Sequence, residues 1–258
     1  MFKAYKISNT VIKHFLPANL TPDISIEKPK KEYLLQKLES MMLGAGNCLD
    51  GEQIRKDWFP ENNLDVFISH SSKDVHEAER LSSWLFNEFG IQSFIDSQFW
   101  GHSDVLLKKI DDKYCLINKS DKKTYSYEKR NISTAHVHMI LSYALAKMIE
   151  KAECFIFIDS ENSISIDEAI NSTTYSPWIF YELMIAQTIT LQPHKRGMIK
   201  SSTLLSEDLK LKHPVLSDRL KTTLESKTLS QWSQATKQIH NQKHHPLDIL
   251  YSIVKDEI

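Results

Sequence analysis

From residue 64 the chain alternates short apolar runs with longer stretches whose apolar residues recur every three or four positions. "LDVFISH" (64–70) has the length and composition of a buried strand. After "SSKD" comes a predicted helix with Asp74 and Glu77 at capping-box spacing and Ala78, Leu81, Leu85 and Phe89 at helical spacing. Gly90 is placed to end it, because glycine accepts the left-handed conformation that closes many helices. "IQSFID" (91–96) reads as a second strand, and "SQFWGHSD" as a loop leading into the short amphipathic stretch "VLLKKID". The polar segment 116–131 reads as an excursion or small hairpin, and 133–153 as a long helix with Val137, Ile140, Leu141, Ala144, Leu145 and Met148 inward. "CFIFID" (154–159) is a third strand. A Ser/Asn-rich loop and a helix opening at Ser176-Pro177 follow. "GMIK" (197–200) predicts a short fourth strand, and 201–258 is helical in pieces.

Strands alternating with helices predict an α/β fold, a flavodoxin-like, mostly parallel sheet with helices on both faces. In such sheets ligands bind at the carboxyl ends of the strands, where strand order reverses. The loops after residues 69, 96 and 159 fall on that edge. Ahead of it, the one clear pattern is the helix "KKEYLLQKLESMML", stopped at Gly44, so residues 1–61 read as a helical N-terminal extension. The domain proper then covers 62–258, with its core motifs in 64–200.

Composition narrows the function. The 258 residues carry a net charge of −1, with lysines and acids interspersed, so nothing points to nucleic acid or to an anionic membrane. The apolar runs are too short to span a bilayer, and no signal peptide is visible at the N-terminus. The three cysteines, Cys48, Cys115 and Cys154, are scattered and odd in number, which suits reduced thiols and a cytoplasmic location. The six glycines form neither a dinucleotide-binding fingerprint nor a phosphate loop. A phospho-receiver domain needs an acidic pair after the first strand, where this chain has "SHSS". His240 and His244 are four apart, but the polar neighbourhood and the missing glutamate base read as a solvated helix end. No metal is implied.

One residue stands out. "YSPWIFYELMIAQTITLQP" (175–193) is apolar almost all round, yet Glu182 lies in its middle, the only charged residue between Glu168 and Lys195. It is too far in to form a capping box with Ser176. A carboxylate in apolar surroundings is costly unless something pairs with it, so Glu182 either neutralises a buried lysine or arginine or does chemistry.

"LDVFISHSSKD" (64–74), "FID" with the following loop through Gly101, and "SPWIFYEL" (176–183) together resemble three motif regions of the Toll/interleukin-1 receptor (TIR) domain, in the family's order. The resemblance spans about residues 62–200; the long polar segment between the second and third strands departs from the family pattern. Some members are scaffolds that signal by self-association. Others cleave the nicotinamide–ribose bond of NAD⁺, releasing nicotinamide with ADP-ribose, a cyclic ADP-ribose or a conjugate that acts as a messenger. The enzymes' essential glutamate maps onto Glu182 and the aromatic one turn before it onto Trp178. Ser69, His70, Ser71 and Asp96 fall where strand-end loops contact substrate, and Phe99, Trp100 and Gly101 where a movable lid is expected.

The chemistry suits these residues. Nicotinamide leaves NAD⁺ neutral and needs no proton, so the two carboxylates of ordinary glycosidases can reduce to one. That one can stabilise the oxocarbenium-like charge at the anomeric carbon or trap the carbon covalently; both roles stay open. Trp178 can stack on the pyridinium or belong to the core. His70 can hold a phosphate or ribose, or cap the next helix; Phe99 and Trp100 can equally form a self-association surface. The resemblance implies an NAD⁺-consuming enzyme of the prokaryotic stand-alone type, acting in antiphage immunity. NAD⁺ is its substrate and no further cofactor is needed; TIR–TIR contacts build its oligomer, and a partner effector senses the product. The alternatives are a non-catalytic scaffold and, from a different family, a nucleoside 2-deoxyribosyltransferase.

Overall fold

The computed structural model describes residues 3–21, 31–44, 49–58, 64–95, 97–118, 124–166, 172–174, 176–189, 220, 222–238 and 244–254. The chain divides into two compact units, one of Met1–Asp23, Leu64–Phe94 and Ile149–Ile258, the other of Ile24–Asn63 and Ile95–Met148.

The first unit is built on strand β1 (Lys3–Ser8), helix α1 (Asn9–Phe15), and, after α2 (Lys31–Gly44) and α3 (Gly51–Trp58) of the other unit, strand β2 (Val66–Ser69). Then come α4 (Val75–Phe89) and β3 (Ser93–Ile95), and, beyond α5 (Ser97–Tyr114) and α6 (Tyr127–Lys151), β4 (Cys154–Asp159). A two-residue antiparallel pair, β5 (Ser165–Ile166) and β6 (Ser172–Thr173), precedes α7 (Pro177–Thr188), α8 (Ser226–Gln238) and α9 (Pro246–Ile253).

Four strands form an all-parallel sheet in the order β1-β4-β2-β3, an α/β arrangement consistent with a flavodoxin-like fold. The strand at residues 3–8 corrects the reading of 1–61 as a helical extension outside the sheet. Ala4, Tyr5 and Ile7 of "KAYKIS" are buried. The run pairs Lys3 with Cys154 through Ser8 with Asp159, partners about 150 residues away that no local pattern reveals. On its other side Lys6 bridges residues 222–224, its N–H donating to Thr222 O at 3.0 Å and its carbonyl accepting from Leu224 N at 2.8 Å. The central strand β4 is buried from Cys154 to Ile158, as its unbroken apolar run requires. Phe67 of β2 stacks on its register partner Phe155 at 5.7 Å and meets Phe94 at 5.2 Å. Each such ring contributes about 2–3 kcal/mol by leaving water.

Helix α4 ends as expected: Gly90 sits at φ 67° and its N–H closes onto Leu85 and Phe86. α4 also anchors the N-terminal segment, because the Arg80 guanidinium donates to the carbonyls of Lys13, Leu16 and Pro17, the free end of α1. Against its far end, Trp232 of α8 stacks on Phe89 at 3.9 Å, meets Trp84 edge-on, and donates its indole N–H to Pro246 O.

In the second unit, α2 and α3 are tied by Lys37–Asp57 at 2.6 Å, and α2 and α5 by Lys109–Glu39 at 3.0 Å. In the polar stretch expected as an excursion or small hairpin Leu116 bridges Tyr125, and α6 begins at Tyr127, several residues before the expected 133. The stretch expected as a loop, "SQFWGHSD", is instead the start of α5. The expected strand at 197–200 lies outside the described residues. Among those described, no helix is long and apolar enough to cross a membrane.

Candidate active site

The sheet order fixes where a ligand edge lies. From β2 the chain runs to β3 on one side; from β4 it leaves toward residues 222–224, beyond β1 on the other. β2 and β4 are therefore adjacent strands whose connections diverge, and their carboxyl ends bound the crevice at the topological switch point. The residues that follow them are Ser69–Asp74 and Asp159–Ser163.

Helix α7 brings Glu182 to the end of β2. Ser176 caps it as expected, its Oγ accepting from Ile179 N at 3.3 Å, with Pro177 at the first turn. From that start Glu182 falls one turn after Trp178, and both side chains lean toward the helix N-terminus. Glu182 is fully buried, and its Oε2 accepts a 2.6 Å hydrogen bond from the hydroxyl of Ser69, itself fully buried as the last residue of β2. The contact spans 113 positions of sequence and joins two predicted site residues. The bond fixes the orientation of the carboxyl group. Trp178 is half-buried.

The other predicted residues fare differently. His70 is buried directly after β2. Ser71 Oγ accepts from Lys73 N at 3.4 Å, capping a single 3-10 turn, so its hydroxyl serves the local chain. Asp96 lies outside the described residues. Phe99, Trp100 and Gly101 are in the first turns of α5, a helix where a loop was expected; their side chains lie outside the described set. The aromatic pair and glycine had suggested a loop, but the stretch continues into the "VLLKKID" helix without a break.

One residue was missed. Asp74 stands at the N-cap of α4 yet makes no capping hydrogen bond with its side chain, so the expected capping box with Glu77 does not form. Its carboxylate, 1% exposed, turns instead to the strand ends, accepting from Asn9 Nδ2 at 3.0 Å, Asn162 Nδ2 at 2.8 Å and Ser160 Oγ. Its sequence signals were its place as the last residue of the first motif and its spacing to Glu77, which spoke for a cap. The turn after β4 is itself locked by hydroxyls: Ser163 Oγ donates to Ile158 O at 3.0 Å and accepts from Ser160 N at 2.9 Å. Among the described residues no group of three or more His, Cys, Asp or Glu is placed to hold a metal ion. Comparison of the chain with protein-family models, with curated proteins and with solved structures finds no match in any of the three.

Proposed function

We propose that this chain is a TIR-type NAD⁺ glycosidase that cleaves the nicotinamide–ribose bond, with Glu182 as its essential carboxylate. The observation that carries the reading is the fully buried Glu182, oriented by the Ser69 hydroxyl at the switch-point end of β2. A buried carboxylate costs several kcal/mol of lost hydration, and strongly perturbed buried acids cluster at functional sites.

In the reaction the C1′–N bond breaks and its electron pair neutralises the pyridinium, so nicotinamide departs without a proton. The positive charge left on C1′ and the ring oxygen is stabilised by the Glu182 carboxylate. Water or an internal nucleophile then bonds to C1′, releasing one proton when the acceptor is water. Ser69 keeps one carboxylate oxygen fixed while the other faces the sugar. Trp178, one turn earlier, supplies a ring for the departing pyridinium, a contact worth about 1–2 kcal/mol when desolvated. Because Glu182 and Ser69 are sealed from solvent, ribose reaches the carboxylate only after the residues covering it move. Self-association is the trigger we assign to that movement, and depletion of NAD⁺ or a nucleotide signal read by a partner effector, in defence against phage, is the biological role.

The test is nicotinamide release and product mass from NAD⁺ for the wild type and Glu182→Gln, at low protein concentration and when clustered on a support. Turnover by the wild type and at least ~100-fold loss in the folded variant support the reading. Nicotinamide release unchanged by the substitution overturns the role of Glu182. No release even when clustered overturns the NAD⁺ reading, and cleavage of deoxynucleosides instead turns it toward a deoxyribosyl transferase.

A further inference from the structure

Three strand ends are gathered by one carboxylate. Asp74 follows β2; its donors Asn9 and Ser160 directly follow β1 and β4, with Asn162 in the turn after β4. These contacts span 65, 86 and 88 positions of sequence, so they are tertiary, not local. Two features show that Asp74 is a hub and not a helix cap. Its side chain makes no capping bond although it occupies the cap position, and it is nearly fully buried. Both of its oxygens already accept from neutral side chains, so it has little capacity left to act on a substrate.

We infer that Asp74 is a positioning residue that clamps the ends of β1 and β4 to the loop after β2 and so holds the segment carrying Ser69 against Glu182; its catalytic part rests on the reading of Glu182 proposed above. Asp74 lies five residues after Ser69, and Ser69, His70, Ser71 and Asp74 of that short stretch are buried, so Asp74 anchors the far end of the segment that carries Ser69. Asn9 makes the N-terminal strand a working part of the ligand edge. Its Nδ2 is committed to Asp74, while its Oδ1, also buried, has no hydrogen-bond partner among the described residues. The amide is thus held at the hub by its donor side, and reversing the pair is the direct test of the contact.

The experiment compares full-length Asp74→Asn, Asn9→Asp and the double swap. Asp74→Asn removes the charge that gathers the donors, and Asn9→Asp sets two carboxylates at hydrogen-bond distance. Each is expected to lower kcat for nicotinamide release roughly 30-fold with KM changed less than about threefold, the pattern of misplaced catalytic groups. The double swap restores one carboxylate and one amide and is expected to recover kcat to within about fivefold of wild type. In parallel, amide hydrogen exchange at residues 9–12 and 160–164 is expected to speed up at least about tenfold in both single variants and return in the double, with α8 and α9 unchanged. Single variants within twofold of wild-type kcat, or a double no better than either, overturn the proposal. A wild type that releases no nicotinamide sinks the reading of Glu182 and the catalytic part of this proposal with it. The clamp is then judged by exchange alone, and unchanged protection at 160–164 in Asp74→Asn overturns it. Should Asp74→Asn not fold, Asn162→Ala removes a single donor and carries the same comparison with smaller changes.

Discussion

Two buried carboxylate sites, one in each unit, are solved by different chemistry. In the helical unit Asp111 is 3% exposed and is held by the Arg130 guanidinium at 2.9 Å and by the Ser133 hydroxyl, which also accepts from Cys115 Sγ at 3.6 Å. That cluster ties the end of α5 to the first turns of α6, and a cation meets the charge. At the sheet edge Asp74 takes neutral amides and a hydroxyl instead. An ion pair neutralises a buried charge within the fold, whereas neutral donors hold it in place without a counter-ion. The first arrangement joins two helix ends, and the second gathers strand ends.

That contrast can be broken at either end. The largest effect is expected at the sheet edge, where Glu182→Gln removes at least ~100-fold of NAD⁺ turnover while leaving the denaturant midpoint nearly unchanged, since the amide keeps the Ser69 contact. Asp111→Asn is expected to show the reverse: a loss of about 1–3 kcal/mol in urea unfolding, as Arg130 and Ser133 lose a charged acceptor, with turnover per folded molecule unaltered. Should Asp111→Asn abolish turnover in fully folded protein, the division of labour between the two carboxylate sites fails.

Acid sharpens the comparison less steeply. Burial raises the carboxyl pKa of Asp57, but hydrogen bonds from Lys37 and Gln53 outweigh it and the net shift is downward. Glu88, likewise raised by burial, is lowered overall by Lys237 and Ser233 of α8. Both folded-state values lie below those of the unfolded chain. Their stabilisation is therefore complete above the unfolded carboxylate range, near pH 4, and is lost as pH falls through the folded values. Thermal midpoints measured down from pH 5 are expected to fall, and Glu88→Gln to flatten the part due to α8. A midpoint that is flat or rising on acidification contradicts this.

The smallest effect concerns the thiols. Burial, chiefly, raises the pKa of both Cys115 and Cys154, so neither is a thiolate at neutral pH. A thiol reagent at pH 7 is expected to modify these two only on unfolding. Rapid labelling of Cys115 in native protein would show that the cluster around Asp111 opens.

What local sequence carries, it carried well. β4 was legible because a fully buried parallel strand must be an unbroken apolar run. The start of α7 was legible in Ser176-Pro177, and the end of α4 in Gly90, because caps and left-handed turns restrict residue type within a few positions. The cost of an isolated charge likewise singled out Glu182 from its own neighbours. What the sequence could not carry was whatever depends on distant partners. β1 is a strand because β4, some 150 residues on, pairs with it. Asp74 is a hub because Asn9 and Ser160 arrive beside it, where its spacing to Glu77 spoke for a cap. Propensity and patterning act over one or two turns of chain and so are written locally. Hydrogen bonds between strand ends exist only once the sheet order is set, so the tertiary structure alone decided which polar residues share the ligand edge.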